Sequence, residues 1–217
     1  MTPLDPDRRL ALTYVPAARR VAVASLWHLD AALGAVVSSG REPMISRIKL
    51  AWWREALEKL DHAPAPAEPT LQAVADHLLT NGISGAELAR MEEGWAVLLN
   101  EEALSGEELQ TYAGARGGAF FRLTARLLGA ELSPEQMRAG ERWALADLAR
   151  HSGEPDSGAA LAAGRALAGS VQWPARLRPL GMLAGLASRD LLRGNGREPQ
   201  GAPRRMLYML RHRLTGH

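Results

Sequence analysis

Glycines 114, 117 and 118, in the stretch "YAGARGGAFF", are the first residues to weigh for chemistry, because clustered glycines let backbone amides cradle a phosphate. They follow no strand-like run, and neither Gly-x-x-x-x-Gly-Lys nor His-Glu-x-x-His occurs anywhere in the chain. A phosphate loop, a dinucleotide fingerprint and a His-Glu zinc helix are thereby excluded. The six histidines are scattered, with His28 and His151 inside helical patterns, and no metal triad can be built from their spacing. There is no cysteine, which removes disulfides, thiolate nucleophiles, iron–sulfur clusters and thiolate zinc sites. What remains distinctive is "RIKLAWWREALEKL", with two of the six tryptophans side by side. Neighbouring helix positions differ by about 100° around the axis. Trp53 therefore lines up with Leu57 and Leu60, and Trp52 with Ile48 and Ala56. Core filling explains the pair, and it predicts a helix buried on two sides.

The elements that must position these residues read as helices throughout. Pro16 opens a helix of five or six turns that Gly40 closes, with Leu26, Leu29, Leu33 and Val36 as its apolar stripe. Pro43 opens a second, to about Leu60, with Arg54/Glu58 and Glu55/Lys59 paired across a turn. "HAPAPAEP" is a stiff connector, and a third helix follows from about Thr70 to Leu79. Ser84 caps the next, which carries Leu88, Met91, Trp95 and Leu98. Ser105 and Ser133 each begin a Ser-x-x-Glu/Gln box, and the Ser133 helix runs to about His151. The glycines of "YAGARGG" lie within the Ser105 helix and let a neighbouring backbone come close. Ala159–Leu167, Pro174–Leu192 and Arg205–Leu214 complete the set. No segment has the period-two alternation of a strand, so the expectation is an all-α, single-domain bundle of about eight to ten helices over residues 1–217.

No uninterrupted apolar stretch approaches the roughly 20 residues that span a bilayer. The N-terminus lacks the basic start and apolar centre of a secretory signal, so a cytoplasmic location is expected. Net charge is only +2, yet from Val171 onward nine arginines face Asp190 and Glu198, an excess of +7 that leaves about −5 on the rest. The basic C-terminal segment, 193–217, is expected to be either a solvated face or a dock for a membrane surface or an acidic protein partner. No nucleic acid is expected.

"RIKLAWWREALEKL", preceded by "RRVAVASLWHLDAAL", resembles the squalene/phytoene synthase family, which pairs an arginine-led first helix with a Lys-Leu-x-x-Trp-Trp/Tyr-Arg type helix. "YAGARGG" lies where that family has a tyrosine and a Gly-rich helix break. "GERWALADLARH" is similar in length, in Gly140 and in Arg150 to the family's second metal segment. The likeness runs from Val15 to His151 in the family's order. It implies the isoprenoid-synthase fold, and a chemistry in which two prenyl diphosphates condense while paired aspartates hold Mg²⁺. Magnesium needs hard oxygen ligands, and Asp at a spacing of four puts two on one helix face.

The sequence departs from that pattern where it matters. Asp30 is the only acid of the first helix, and one turn on stands Gly34. In the second segment the metal-binding aspartate falls on His151 and the asparagine on Asp147. Asp30, Asp147 and His151 are thus vestiges, no metal or cofactor is expected, and Mg²⁺ enters only if carboxylates such as Glu55 or Glu58 stand in. What remains is a cavity that Arg20, Lys49, Trp53, Arg54, Tyr112, Arg116, Arg122 and Arg150 would line, holding a prenyl or lipid phosphate without metal; surface exposure is the alternative for each cation. Arg150, if buried, has Asp147 as its nearest mate. The likeness extends to a degenerate branch of the family containing assembly factors for respiratory complex I, which implies a non-catalytic assembly or scaffold role, peripheral at the inner face of a membrane. The alternative is an active prenyl transferase.

Overall fold

The computed structural model describes residues 2–40, 42–100 and 102–216, and among these every regular element is helical. α1 (Pro6–Thr13) starts where Asp5 accepts the Arg8 amide at 2.9 Å and Pro6 takes the first helical position. The sequence reading passed over this helix, although Asp-Pro is a start signal. α2 (Ala17–Ser39) is long and apolar enough by composition to cross a bilayer. In the fold it is a core helix that buries Val23, Leu26, Trp27, Leu29, Asp30 and Leu33.

α3 (Pro43–Lys59) buries Leu50, Trp53 and Leu57. Trp52 is 46% exposed and Ile48 63%, so this helix is buried on one side, not two. Among the described residues no second neighbour covers the arc on which Trp52 stands, and the indole lies edge-on to Trp53 with centroids 5.4 Å apart. α4 (Pro69–His77), α5 (Gly85–Ala89) and α6 (Met91–Ala96) follow, the last two dividing the helix expected from Ser84.

α7 (Gly106–Tyr112) and α8 (Ala119–Leu127) are joined by a π-helical turn at Ala113–Gly118, a local widening that re-aims side chains. The capping boxes read at Ser105 and Ser133 are both formed, with Glu108 and Gln136 returning the bond. α9 (Pro134–His151), α10 (Asp156–Ala166), α11 (Arg178–Arg193) and α12 (Pro203–Thr215) complete the chain.

Two helices organise the rest. α2 packs against α1, α3, α4, α6 and α8, while α9 packs against α7, α8, α10, α11 and the π turn. Between them an aromatic cluster of Trp27, Phe120, Phe121, Trp143 and Trp173 fills the centre, Phe120 stacked on Trp143 at 4.7 Å. Each large side chain removed from water there contributes roughly 1.5–3 kcal/mol. The buried Trp27 Nε1 of this cluster donates to Thr124 Oγ1 at 3.0 Å.

The ends of the chain are tied to each other. Arg205 of α12 donates to Asp7 of α1 at 2.7 Å and to Asp190 of α11 at 2.5 Å, all three buried. Most of the C-terminal arginines are used the same way. Arg176, Arg178 and Arg197 hold backbone carbonyls, and Arg189 and Arg193 face Glu198. Among the described residues Arg189, Arg193 and Arg205 are in ion pairs, and of their partners only Asp7 lies outside the segment, so most of the +7 excess stays on it.

Candidate functional site

At the centre lies Arg116, carried by the π turn and fully buried. Its Nε donates to Asp30 Oδ1 at 3.0 Å and its Nη2 to Asp30 Oδ2 at 3.2 Å. The same Nη2 stands 2.8 Å from Asp147 Oδ2 on α9. Nη1 donates to the Tyr112 hydroxyl. Arg8 reaches in from α1 and donates to Asp30 Oδ2 at 2.8 Å, its own Nε held by Asp5. Two carboxylates 117 residues apart in sequence therefore meet on one guanidinium nitrogen.

Aromatic faces close the site. The Arg116 guanidinium lies 4.1 Å from the Trp95 ring and 4.9 Å from Trp143, distances at which a cation is attracted to the ring face. Trp95 also explains Gly34: a Cβ at that position would come 2.7 Å from the indole edge. One turn beyond Asp30, where the family pattern has its second acid, an apolar ring fills the space.

The electrostatics follow from this packing. Burial alone would raise the Asp147 carboxyl, but Arg116, then Arg8 and His151, outweigh it and hold the group down to about 2. Burial pushes the Tyr112 phenol above its usual range against the pull of Arg116. Arg116 would be lowered by burial, yet Asp30, Tyr112 and Asp147 raise it, so it stays charged. Asp147 sits below its unfolded value of 3.8, so its contribution is present above about pH 4 and is lost as pH falls toward 2. That contribution is about 2 kcal/mol. Acid titration of Asp147→Asn, followed by circular dichroism, should show a shallower loss of stability between pH 4 and 2 than the native chain shows.

A cavity of about 470 Å³ opens onto this cluster. Leu4, Ala31, Val37, Leu98, Leu104 and Leu148 give it apolar walls; Asp30, Tyr112, Arg116 and Asp147 form its polar side. Of the residues expected to line a basic pocket, Tyr112 and Arg116 are there, together with Asp30, Asp147 and, at the mouth, His151. His151 is 59% exposed and 3.4 Å from Asp147 Oδ1.

The other expected residues lie elsewhere. Arg20 donates to the carbonyls of Thr13 and Val15 and fastens the α1–α2 turn. Lys49 and Trp53 flank a separate open recess beside Glu68. Arg54 stands 3.9 Å from Glu92, and Arg122 2.6 Å from Glu87. Arg150 pairs with Asp190 at 2.7 Å, not with Asp147, because Asp147 is already taken by Arg116. Glu55 and Glu58 are exposed on α3 and do not reach the cavity, so they replace no missing ligand.

Magnesium does not fit these residues. No group of three or more His, Cys, Asp or Glu able to hold a metal occurs among the described residues. The Arg116 guanidinium occupies the space between Asp30 and Asp147 and bonds to both. The residues that the sequence reading missed are Arg8, Asp5 and Trp95. Arg8 follows from the unread α1 start signal, whereas the Trp95–Gly34 contact joins positions 61 apart and leaves no local trace.

A bundle of helices around an interior where acids from two central helices face each other is the isoprenoid-synthase architecture. The family model for squalene/phytoene synthase matches residues 2–161; the chain belongs to the squalene/phytoene synthase family. α11 and α12 lie beyond the matched residues. No curated protein and no solved structure matches the chain.

Proposed function

We propose that this chain is a non-catalytic member of its family, in which a fixed cation has replaced the magnesium clamp and the fold serves as a scaffold. The reading rests on Arg116: its guanidinium bridges Asp30 and Asp147, acids of the two segments that resemble the family's metal motifs. A buried ion cluster with excellent geometry holds its charges in place and leaves none free to engage a diphosphate. The role we assign is assembly or scaffolding of other proteins, of the kind that respiratory complex I assembly factors of this family perform. We place the protein in the cytoplasm, peripheral at the inner face of a membrane.

A second reading is favoured by the open cavity with its apolar walls: a carrier that holds a prenyl or lipid phosphate without turning it over. Its two cations, Arg8 and Arg116, are already matched by Asp5, Asp30 and Asp147, so an added anion would meet an acidic balance. This places the carrier second.

Farnesyl and geranylgeranyl diphosphate, each with Mg²⁺, separate these readings when pyrophosphate release and melting temperature are followed together. The scaffold reading expects no release and no shift. Release that EDTA abolishes would overturn it in favour of an active prenyl transferase. Stabilisation that persists in EDTA would establish the carrier.

A further inference from the structure

One face of α3 is left without a partner. Met44, Ile45, Ile48 and Trp52 are among the most exposed large apolar side chains of the protein. At about 100° per residue they fall within a single arc of about 100°. The opposite face of the same helix, Leu50, Trp53 and Leu57, is buried. Arg47 stands just outside one edge of the arc and Lys49 just outside the other, both exposed. Among the described residues Arg47 donates to the Leu99 carbonyl and Asn100 Oδ1, both uncharged, and stands in no ion pair. Glu42 precedes the arc, and the first acid within it is Glu55, beyond Trp52.

We propose that this face docks on an anionic lipid surface. A short apolar stripe that ends in tryptophan, with cations at both edges, has the composition of a helix lying in the bilayer interface. The apolar side chains enter the headgroup boundary, the indole sits at its level, and the cations meet anionic headgroups. A second copy of the chain is the poorer occupant. Four side chains on two turns fall far short of the roughly 20–30 residues a side that a stable protein interface uses, and the edge cations of two copies would face each other. The inference does not depend on whether the interior is catalytic. It also assigns contact to α3 and not to the C-terminal segment.

Trp52 is a built-in reporter, because Trp27, Trp53, Trp95, Trp143 and Trp173 are all buried. Vesicles of phosphatidylcholine with about 30% phosphatidylglycerol should blue-shift the tryptophan emission and bind at least about tenfold more protein than phosphatidylcholine alone, with added salt reversing both. Ile48→Asp lies at an exposed position, so it should keep the native melting temperature and lose the binding. Trp52→Phe should keep the binding and lose the blue shift. Leu207→Asp, on the exposed face of α12, should change neither. Absence of binding by the native chain would overturn the proposal, as would binding that survives Ile48→Asp but fails in Leu207→Asp. Concentration-dependent dimerisation that Ile48→Asp abolishes would overturn it too, by showing that another copy covers the face.

Discussion

Arg116→Met should cost the fold about 3–5 kcal/mol, the range for removing one partner of a buried ion pair. For a chain of this length that is a drop of roughly 6–20 °C in melting temperature. The loss arises less from the missing bonds than from what they leave behind. Asp147 is only 14% exposed and Asp30 not at all, and without Arg116 Asp147 keeps only the Arg8 charge, which is bound to Asp30 and Asp5, and the exposed His151. Asp30 retains Arg8. Methionine keeps apolar packing against Trp95 and Trp143 and removes the charge with its hydrogen bonds, so the result reads polar loss more than volume. Arg116→Met/Asp30→Asn/Asp147→Asn should recover much of the stability, because a matched set of neutral groups leaves no orphaned charge. Millimolar Mg²⁺ should raise the melting temperature of the single variant and leave the native chain unmoved, since only in the variant do Asp30 and Asp147 face each other with no guanidinium between them. A single variant as stable as the native chain would remove Arg116 from the centre of the fold and take the proposed function with it.

How far this site could be read beforehand depended on the range over which each signal acts. The helices follow from local patterns: Pro16 and Pro43 as openers, the boxes at Ser105 and Ser133, and Leu26, Leu29 and Leu33 on one stripe. Asp30, Asp147, Tyr112 and Arg116 could be named because their order along the chain resembles a family. That they would close on one another could not be read, because spacing along a helix says nothing about a partner 86 residues away. The arginines show the same limit. Arg20, Arg122 and Arg150 are each satisfied by a partner fixed only in the folded chain: a carbonyl, a glutamate, and an aspartate beyond the matched region. Trp52 misled for the opposite reason. Its register was right, but the number of neighbours around a helix is a property of the bundle and not of the helix.

Gly140→Ala is the change that should show how the backbone makes the site possible. A Cβ at Gly140 would lie 2.8 Å from the Gly117 carbonyl and 2.7 Å from Phe121, and one at Gly117 would lie 2.4 Å from the Gly140 carbonyl. Main chain faces main chain here, so no rotamer relieves the clash, and α9 must move away from the π turn. The cost should reach or exceed the upper end of the roughly 1–3 kcal/mol typical of overpacking. Movement would also act on chemistry. Arg116 precedes Gly117 and Asp147 lies two turns beyond Gly140, so parting the two backbones lengthens the 2.8 Å contact between them. Asp147, held at about 2 by that contact, should then titrate closer to 3.8. The loss of stability between pH 4 and 2 would then be shallower than in the native chain, because the folded and unfolded values of Asp147 move together. Gly114→Ala is the matched control, since its Cβ would meet nothing within 4 Å. It should fold as well as the native chain or better by up to about 1 kcal/mol, with the Asp147 titration unchanged. If Gly140→Ala lost stability while Asp147 titrated as before, the close approach would serve packing alone. A joint shift would mean that two glycines, by admitting α9 against the turn, place the cation that stands between the two acids.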